Sequence, residues 1–129
     1  MAISFDKALG IHEQAVSLRS QRAEVLANNL ANTDTPGFKA RDIDFRAVMA
    51  AQAGTATLRT TNARHMSSIG GAASGGLMFR VPMQPSIDGN TVEEQVELSA
   101  FTKNALDFQY STQALGDKFK GIRNALRGE

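Results

Sequence analysis

The sequence predicts a mainly α-helical fold. Long N- and C-terminal helices pair as a coiled-coil-like helical domain, with a flexible or partly extended central segment between them. Three observations predict it. Apolar residues recur at three- and four-residue spacing from about Phe5 to Ala31. They recur again as an a/d seam from Leu98 to Leu126. Between these runs lies a stretch rich in glycine, threonine and serine that keeps neither period. The chain therefore divides into an N-terminal core helix within 1–35, a turn, arm and flexible middle over 36–88, and a C-terminal core helix within 89–129.

The N-terminal helix carries two stripes. One runs through Phe5, Leu9, His12, Val16, Arg19, Ala23, Leu26 and Leu30, and the other through Ala8, Ile11, Ala15, Leu18, Arg22 and Val25. Two stripes give a helix with apolar contact on more than one side. His12, Arg19 and Arg22 interrupt them and are read as snorkelling side chains at a seam edge, with no catalytic role.

The helix ends in Ala27-Asn28-Asn29-Leu30-Ala31-Asn32. Asparagines are costly inside helices because their amides compete for backbone hydrogen bonds. Asn32 suits the left-handed position after a helix end. Pro36-Gly37 suits the centre of a tight turn: proline presets φ, and glycine accepts positive φ next to it. A plain reading is a fraying helix end. A sharper one has these amides crosslink neighbouring helices in an assembly.

Residues 39–50 mix charge with Ile43, Phe45, Val48 and Met49, and read as either a short helix or an extended arm. Phe45 and Met49 stand at i, i+4, one turn apart if this stretch is helical. The glycines of Gly70 to Gly76 are no phosphate loop, because no Gly-Lys-Ser/Thr follows. Leu77-Met78-Phe79-Arg80-Val81 reads as one short strand or a docking segment.

The last helix is the clearest. Asp88, Gly89 and Asn90 break structure, and Thr91-x-x-Glu94 reads as a capping box. Leu98, Phe101, Ala105, Phe108, Thr112, Leu115, Phe119, Ile122 and Leu126 then form the seam, and the whole helix, about 37 residues from Thr91, gives a rod of roughly 55 Å. Glutamates sit in its first turns and Lys118, Lys120, Arg123 and Arg127 near its end. That order suits the helix dipole and also suits the meeting of stacked copies.

Composition narrows the function. With 129 residues the chain makes one modest domain. A net charge of +1 leaves no nucleic-acid footprint. The absence of cysteine rules out disulfides, thiolate metal sites and cysteine nucleophiles. No apolar run reaches the roughly 18–20 residues of a bilayer span, so no direct membrane insertion is expected. The first residues do not read as a cleaved signal. His12 and His65 lie far apart, Asp42 and Asp44 suggest no acid–base pair, and Ser4-x-x-Lys7 lacks companion motifs. No catalytic residue, metal site or cofactor is expected.

Ala27-Asn28-Asn29-Leu30-Ala31-Asn32 with Thr35-Pro36-Gly37-Phe38 resembles the N-terminal motif of the bacterial flagellar axial proteins, the rod, hook and hook-associated family. The continuation Lys39 to Phe45, Leu58 to Met66, and Gly89 to Arg123 resemble the proximal rod proteins within it. The absence of a larger inserted domain points the same way. The resemblance leaves the glycine-rich stretch unaccounted for.

It implies a structural part of the basal-body rod, self- and hetero-assembling through its terminal helices into a multi-subunit helical array that transmits torque for motility. It also implies unprocessed export through the flagellar type III apparatus to a periplasmic rod, with other rod proteins, the basal adaptor and membrane-ring proteins as partners. The expected assembly interface comprises Leu9, Val16, Leu26, Asn28, Asn29, Leu30, Asn32, Pro36, Gly37, Phe38, Phe101, Phe108, Leu115, Phe119 and Ile122. The alternative class is a soluble helical adaptor or export chaperone-like binding module. The Asn-rich turn favours assembly, because it matches the axial-protein motif and an adaptor has no evident need of it.

Overall fold

The computed structural model describes residues 9–53 and 76–128. The element order is α1 (Ile11–Ala31), β1 (Arg41–Ile43), α2 (Phe45–Ala53), β2 (Leu77–Phe79) and α3 (Glu94–Arg127). Helices α1 and α3 are the long pair and form the main packing of the molecule. They run antiparallel: Asn29, near the end of α1, meets Glu97 in the first turn of α3, while Arg19 meets Asn104 and Asp107 further along. Strands β1 and β2 form a two-stranded antiparallel sheet with Asp42 opposite Met78.

The two stripes of α1 have separate uses. Leu18, with Ala15 and Val25 beside it, packs against Ile43 of β1 and against Phe45, Val48 and Met49 of α2. This small cluster is the apolar core of the described residues. The other stripe, through Arg19, meets α3. Phe45 and Met49 are therefore core residues, with the Arg19 guanidinium 3.7 Å above the Phe45 ring. Residues 39–53 form both a strand and a helix, the two alternatives left open by their sequence.

Several expectations are corrected. Periodicity predicts one helix from about Phe5, but Gly10 adopts φ 47° and ψ −123°, outside helical space, and α1 starts at Ile11. Asn32 closes α1 at φ −109°, not in the left-handed region. Its amide instead donates to the Asn28 carbonyl one turn back. The capping box does not form: α3 starts at Glu94 and is 34 residues long, its N-cap Glu93 makes no capping bond, and the Thr91 hydroxyl accepts the Ala40 N–H at 2.8 Å. The Pro36-Gly37 turn stands as read, with Gly37 at φ 73° and Phe38 N–H donating to the Thr35 carbonyl. Phe5, Ala8, the Leu58–Met66 segment and the glycine run before Gly76 lie outside the described residues.

Candidate assembly surface

The site is built where the end of α1, the Thr35–Phe38 turn and residues 88–97 meet. Asn90 is buried and its amide reaches the carbonyls of Asn32, Thr33 and Thr35 at 3.1, 2.6 and 3.1 Å, while its oxygen accepts from Val92 N–H. Gly37 N–H donates to Asp88 O and Thr91 N–H to Phe38 O. One side chain and two backbone bonds thus fix the turn against the segment that launches α3. Three carbonyls of the turn that follows α1 share this one donor, although Asn32 O also accepts Thr35 N–H and Thr35 O accepts Phe38 N–H.

Asn29 occupies the centre of this joint and is 1% exposed. Its Nδ2 donates to the Arg41 carbonyl at 2.6 Å, and its Oδ1 accepts the Arg41 N–H at 3.1 Å. The amide thus pairs with a β1 residue much as a neighbouring strand would. The same Nδ2 reaches Glu97 Oε2 at 3.2 Å. Glu97 is fully buried and also receives Arg80 Nη1. Arg80 Nη2 and both ends of the Arg22 fork converge on Asp42, at 2.6, 2.7 and 2.8 Å. A continuous chain of charge-assisted bonds therefore runs from α1 through β1 and the residue after β2 to α3.

Two carboxylates in this chain respond oppositely. Burial pushes the Asp42 carboxyl up, but Arg22 and Arg80 together outweigh it and hold Asp42 below its usual value. Burial also pushes Glu97 up, and there the Asn29 amide and Arg80 do not offset it, so its pKa stays raised. Arg19 and Arg22 are held by Asp107 and Asp42 and are mostly covered, which corrects the reading of both as snorkelling side chains. The signal for this was present. Two bases at seam positions of α1 require acids from elsewhere, and Asp42, Glu97 and Asp107 were available.

On α3 the inner line is Glu97, Ala100, Asn104, Asp107, Ser111 and Ala114, all buried or half-buried. It lies one residue before the apolar seam read from the sequence. Asn104, 1% exposed, donates to the Arg19 carbonyl of α1 at 2.9 Å. The seam itself stands largely open: Leu98 is 53%, Phe119 48% and Leu126 71% exposed, and Phe108 is also exposed. Phe101, Leu115 and Ile122 are half-covered. Of the other expected interface residues, Leu26 and Asn29 are buried inside the chain, Leu9, Val16, Leu30, Asn32 and Phe38 are half-buried, and Asn28, Pro36 and Gly37 are exposed. Among the described residues no cluster of His, Cys, Asp and Glu is arranged to hold a metal ion. No described helix is long and apolar enough to cross a membrane.

The described residues thus form a pair of long antiparallel helices joined by polar contacts, with an apolar stripe of α3 left largely open. The family model for the flagella basal body rod protein matches residues 9–39, the span of α1 and the turn after it. The chain is 50% identical to the flagellar basal body rod protein FlgB of Aeromonas hydrophila, covering 100% of this chain and 99% of that one. It is 47% identical to the FlgB of Cereibacter sphaeroides strain ATCC 17029, covering 97% and 98%, and 40% identical to that of Escherichia coli K12, covering 98% of each. The chain belongs to the FlgB family of flagellar basal body rod proteins. It is accordingly a structural component of the flagellar basal body and not an enzyme.

Proposed function

We propose that this chain builds the proximal part of the rod, assembling with copies of itself and with other rod proteins through its terminal helices, and transmits torque through those seams. In this reading 1–35 and 89–129 are the paired core and 36–88 supplies the turn and arm. In this reading the rod stands in the periplasm on the basal adaptor and membrane ring, and the chain reaches it by export through the flagellar type III apparatus. The observation that carries the reading is the apolar stripe of α3, on which Leu98, Phe119 and Leu126 stand about half exposed or more. Asn29, Leu26 and Glu97 then serve assembly indirectly, by fixing the angle at which that stripe is presented. Load passes from copy to copy by packing and hydrogen bonding, with no bond chemistry.

Phe108→Ala together with Phe119→Ala tests it. Both rings are partly exposed in the isolated chain, so its helix content should survive. Full burial of such a ring is worth about 1.5–3 kcal/mol, of which a neighbour covering the exposed part supplies roughly half, and the loss recurs in every subunit. The double variant should be exported yet form no rods and support no motility, while Gln113→Ala on exposed α3 surface behaves as wild type. The measurement is secreted or periplasmic protein against assembled basal bodies from the same cells. Normal rods would overturn the stripe as the assembly seam.

A further inference from the structure

The two ends of the molecule carry matched and opposite surfaces. Helix α3 alone spans about 50 Å, and it outruns α1. Asn104 already lies level with Arg19, so among the described residues the stretch from Asp117 to Arg127 extends past Ile11, where α1 begins. That overhang presents Phe119 and Leu126 to solvent, flanked by Lys118, Lys120, Arg123 and Arg127 against a single acid, Asp117. At the other end, residues 81–94 present Val81, Met83 and Ile87, all exposed. They are flanked by Asp88, Glu93 and Glu94, with exposed Asp34 in the adjoining turn, and the nearby base is Lys39, whose Nζ donates to the Gly89 carbonyl. The overhang is net +3 and residues 81–94 net −3. With Lys39 counted the acidic side keeps a net excess of acids, so each apolar patch has a rim of opposite net charge to the other.

We propose that the basic, apolar overhang of α3 in one copy docks on the acidic, apolar 81–94 arm of a second copy of this chain. This deepens the assembly reading and rests on it. The surfaces lie at opposite ends of one molecule, so the contact is head-to-tail. Such a contact repeats without closing unless a rotation brings it round to a ring. Opposite charge steers the two ends together and penalises head-to-head and tail-to-tail encounters. The apolar residues inside each charged rim then supply the burial.

The natural chain has no cysteine, so single cysteines report cleanly. Purified Ile87→Cys and Leu126→Cys chains, mixed at high concentration and treated with a short bismaleimide, should crosslink 87 to 126 between copies. A chain carrying both cysteines should give a ladder. Crosslinking should fall several-fold between low and half-molar salt, as screened charges require. Lys118→Glu with Arg123→Glu should reduce it by about 10-fold or more. Adding Asp34→Lys and Glu94→Lys to that chain should restore crosslinking to itself but not to the wild-type sequence. Helix content by circular dichroism shows that the reversals fold, and the salt series on the cysteine chains stands even where they do not. Crosslinks of 87 to 87 or 126 to 126, a chain that stays monomeric at low salt, or crosslinking in basal bodies only to another protein each overturn the proposal. Normal rods in cells carrying Lys118→Glu and Arg123→Glu would overturn this contact while leaving the rod function intact. Loss of rods with Phe108→Ala and Phe119→Ala addresses that function separately.

Discussion

The inner line and the outer stripe of α3 are one residue apart in sequence and opposite in chemistry. The inner line buries Glu97 and Asn104, while the outer stripe exposes Leu98, Phe108, Phe119 and Leu126. Burying the stripe and exposing the polar residues would gain more transfer free energy for the isolated chain. Its contrary arrangement trades that for two things. Directional hydrogen bonds set the register of α1 against α3, as a single buried asparagine sets register in coiled coils. The apolar area is also kept for a partner.

The most direct way to break the polar inner region is to remove its shared cation. Arg80 bridges Asp42 and Glu97, so Arg80→Ala leaves Asp42 with Arg22 alone and Glu97 buried beside only the Asn29 amide. Breaking such a pair costs about 3–5 kcal/mol in full burial, and the lower end applies because the Arg80 side chain is 18% exposed. Urea unfolding of the isolated chain should show a correspondingly lower midpoint. A midpoint within error of wild type would mean that the polar chain of bonds does not hold the hinge between the arm and the helices.

A finer test separates the two carboxylates. Glu97 has a raised pKa in the fold, so its ionised form opposes folding at neutral pH, and that opposition is relieved as pH falls from its raised value toward the ordinary 4.5. Asp42 has a lowered pKa, so its stabilisation is present above the ordinary 3.8 and is lost as pH falls through its depressed value. From these two groups, stability should hold or rise slightly as pH falls toward 4.5, then drop below about 3.8. Glu97→Gln should remove the upper feature and leave the lower one, read as unfolding midpoint against pH. A profile unchanged by Glu97→Gln would refute the assignment.

The long helices and the Pro36-Gly37 turn were legible because their signals are local: a period of 3.6 and a φ requirement. What was not legible is set by distance along the chain. Arg22 and Asp42 are 20 residues apart and Asn29 and Glu97 are 68 apart, and no window of sequence joins them. The line of α3 that faces α1 was missed for a different reason: the sequence reading set the apolar stripe toward other copies, and the inner line one residue before it, with Glu97, Asn104 and Asp107, carries no apolar period to announce it. Thr91 shows a third limit, since its hydroxyl suited a cap locally but the Ala40 N–H competed for it and won.

The smallest expected effect sharpens the comparison most, because it applies one substitution to both regions. Leu26 is fully buried on α1 and Leu98 is half-exposed on the α3 stripe. Leu26→Ala should cost the isolated chain about 2–5 kcal/mol, the transfer term plus a cavity. Leu98→Ala should change it by no more than about 0.5 kcal/mol, since alanine forms helix at least as well as leucine and little buried area is lost. In the assembled rod the ranking should narrow, because a neighbour that covers the stripe makes Leu98 a buried residue there. Unfolding of the isolated chain and recovery of basal bodies, measured for the same two variants, give the pair of numbers needed. If Leu98→Ala destabilises the isolated chain as much as Leu26→Ala, the stripe is already covered within one copy and is not held open for another. If it leaves both the chain and the rods untouched, the covered part of the stripe begins further along α3, toward Phe108 and Phe119.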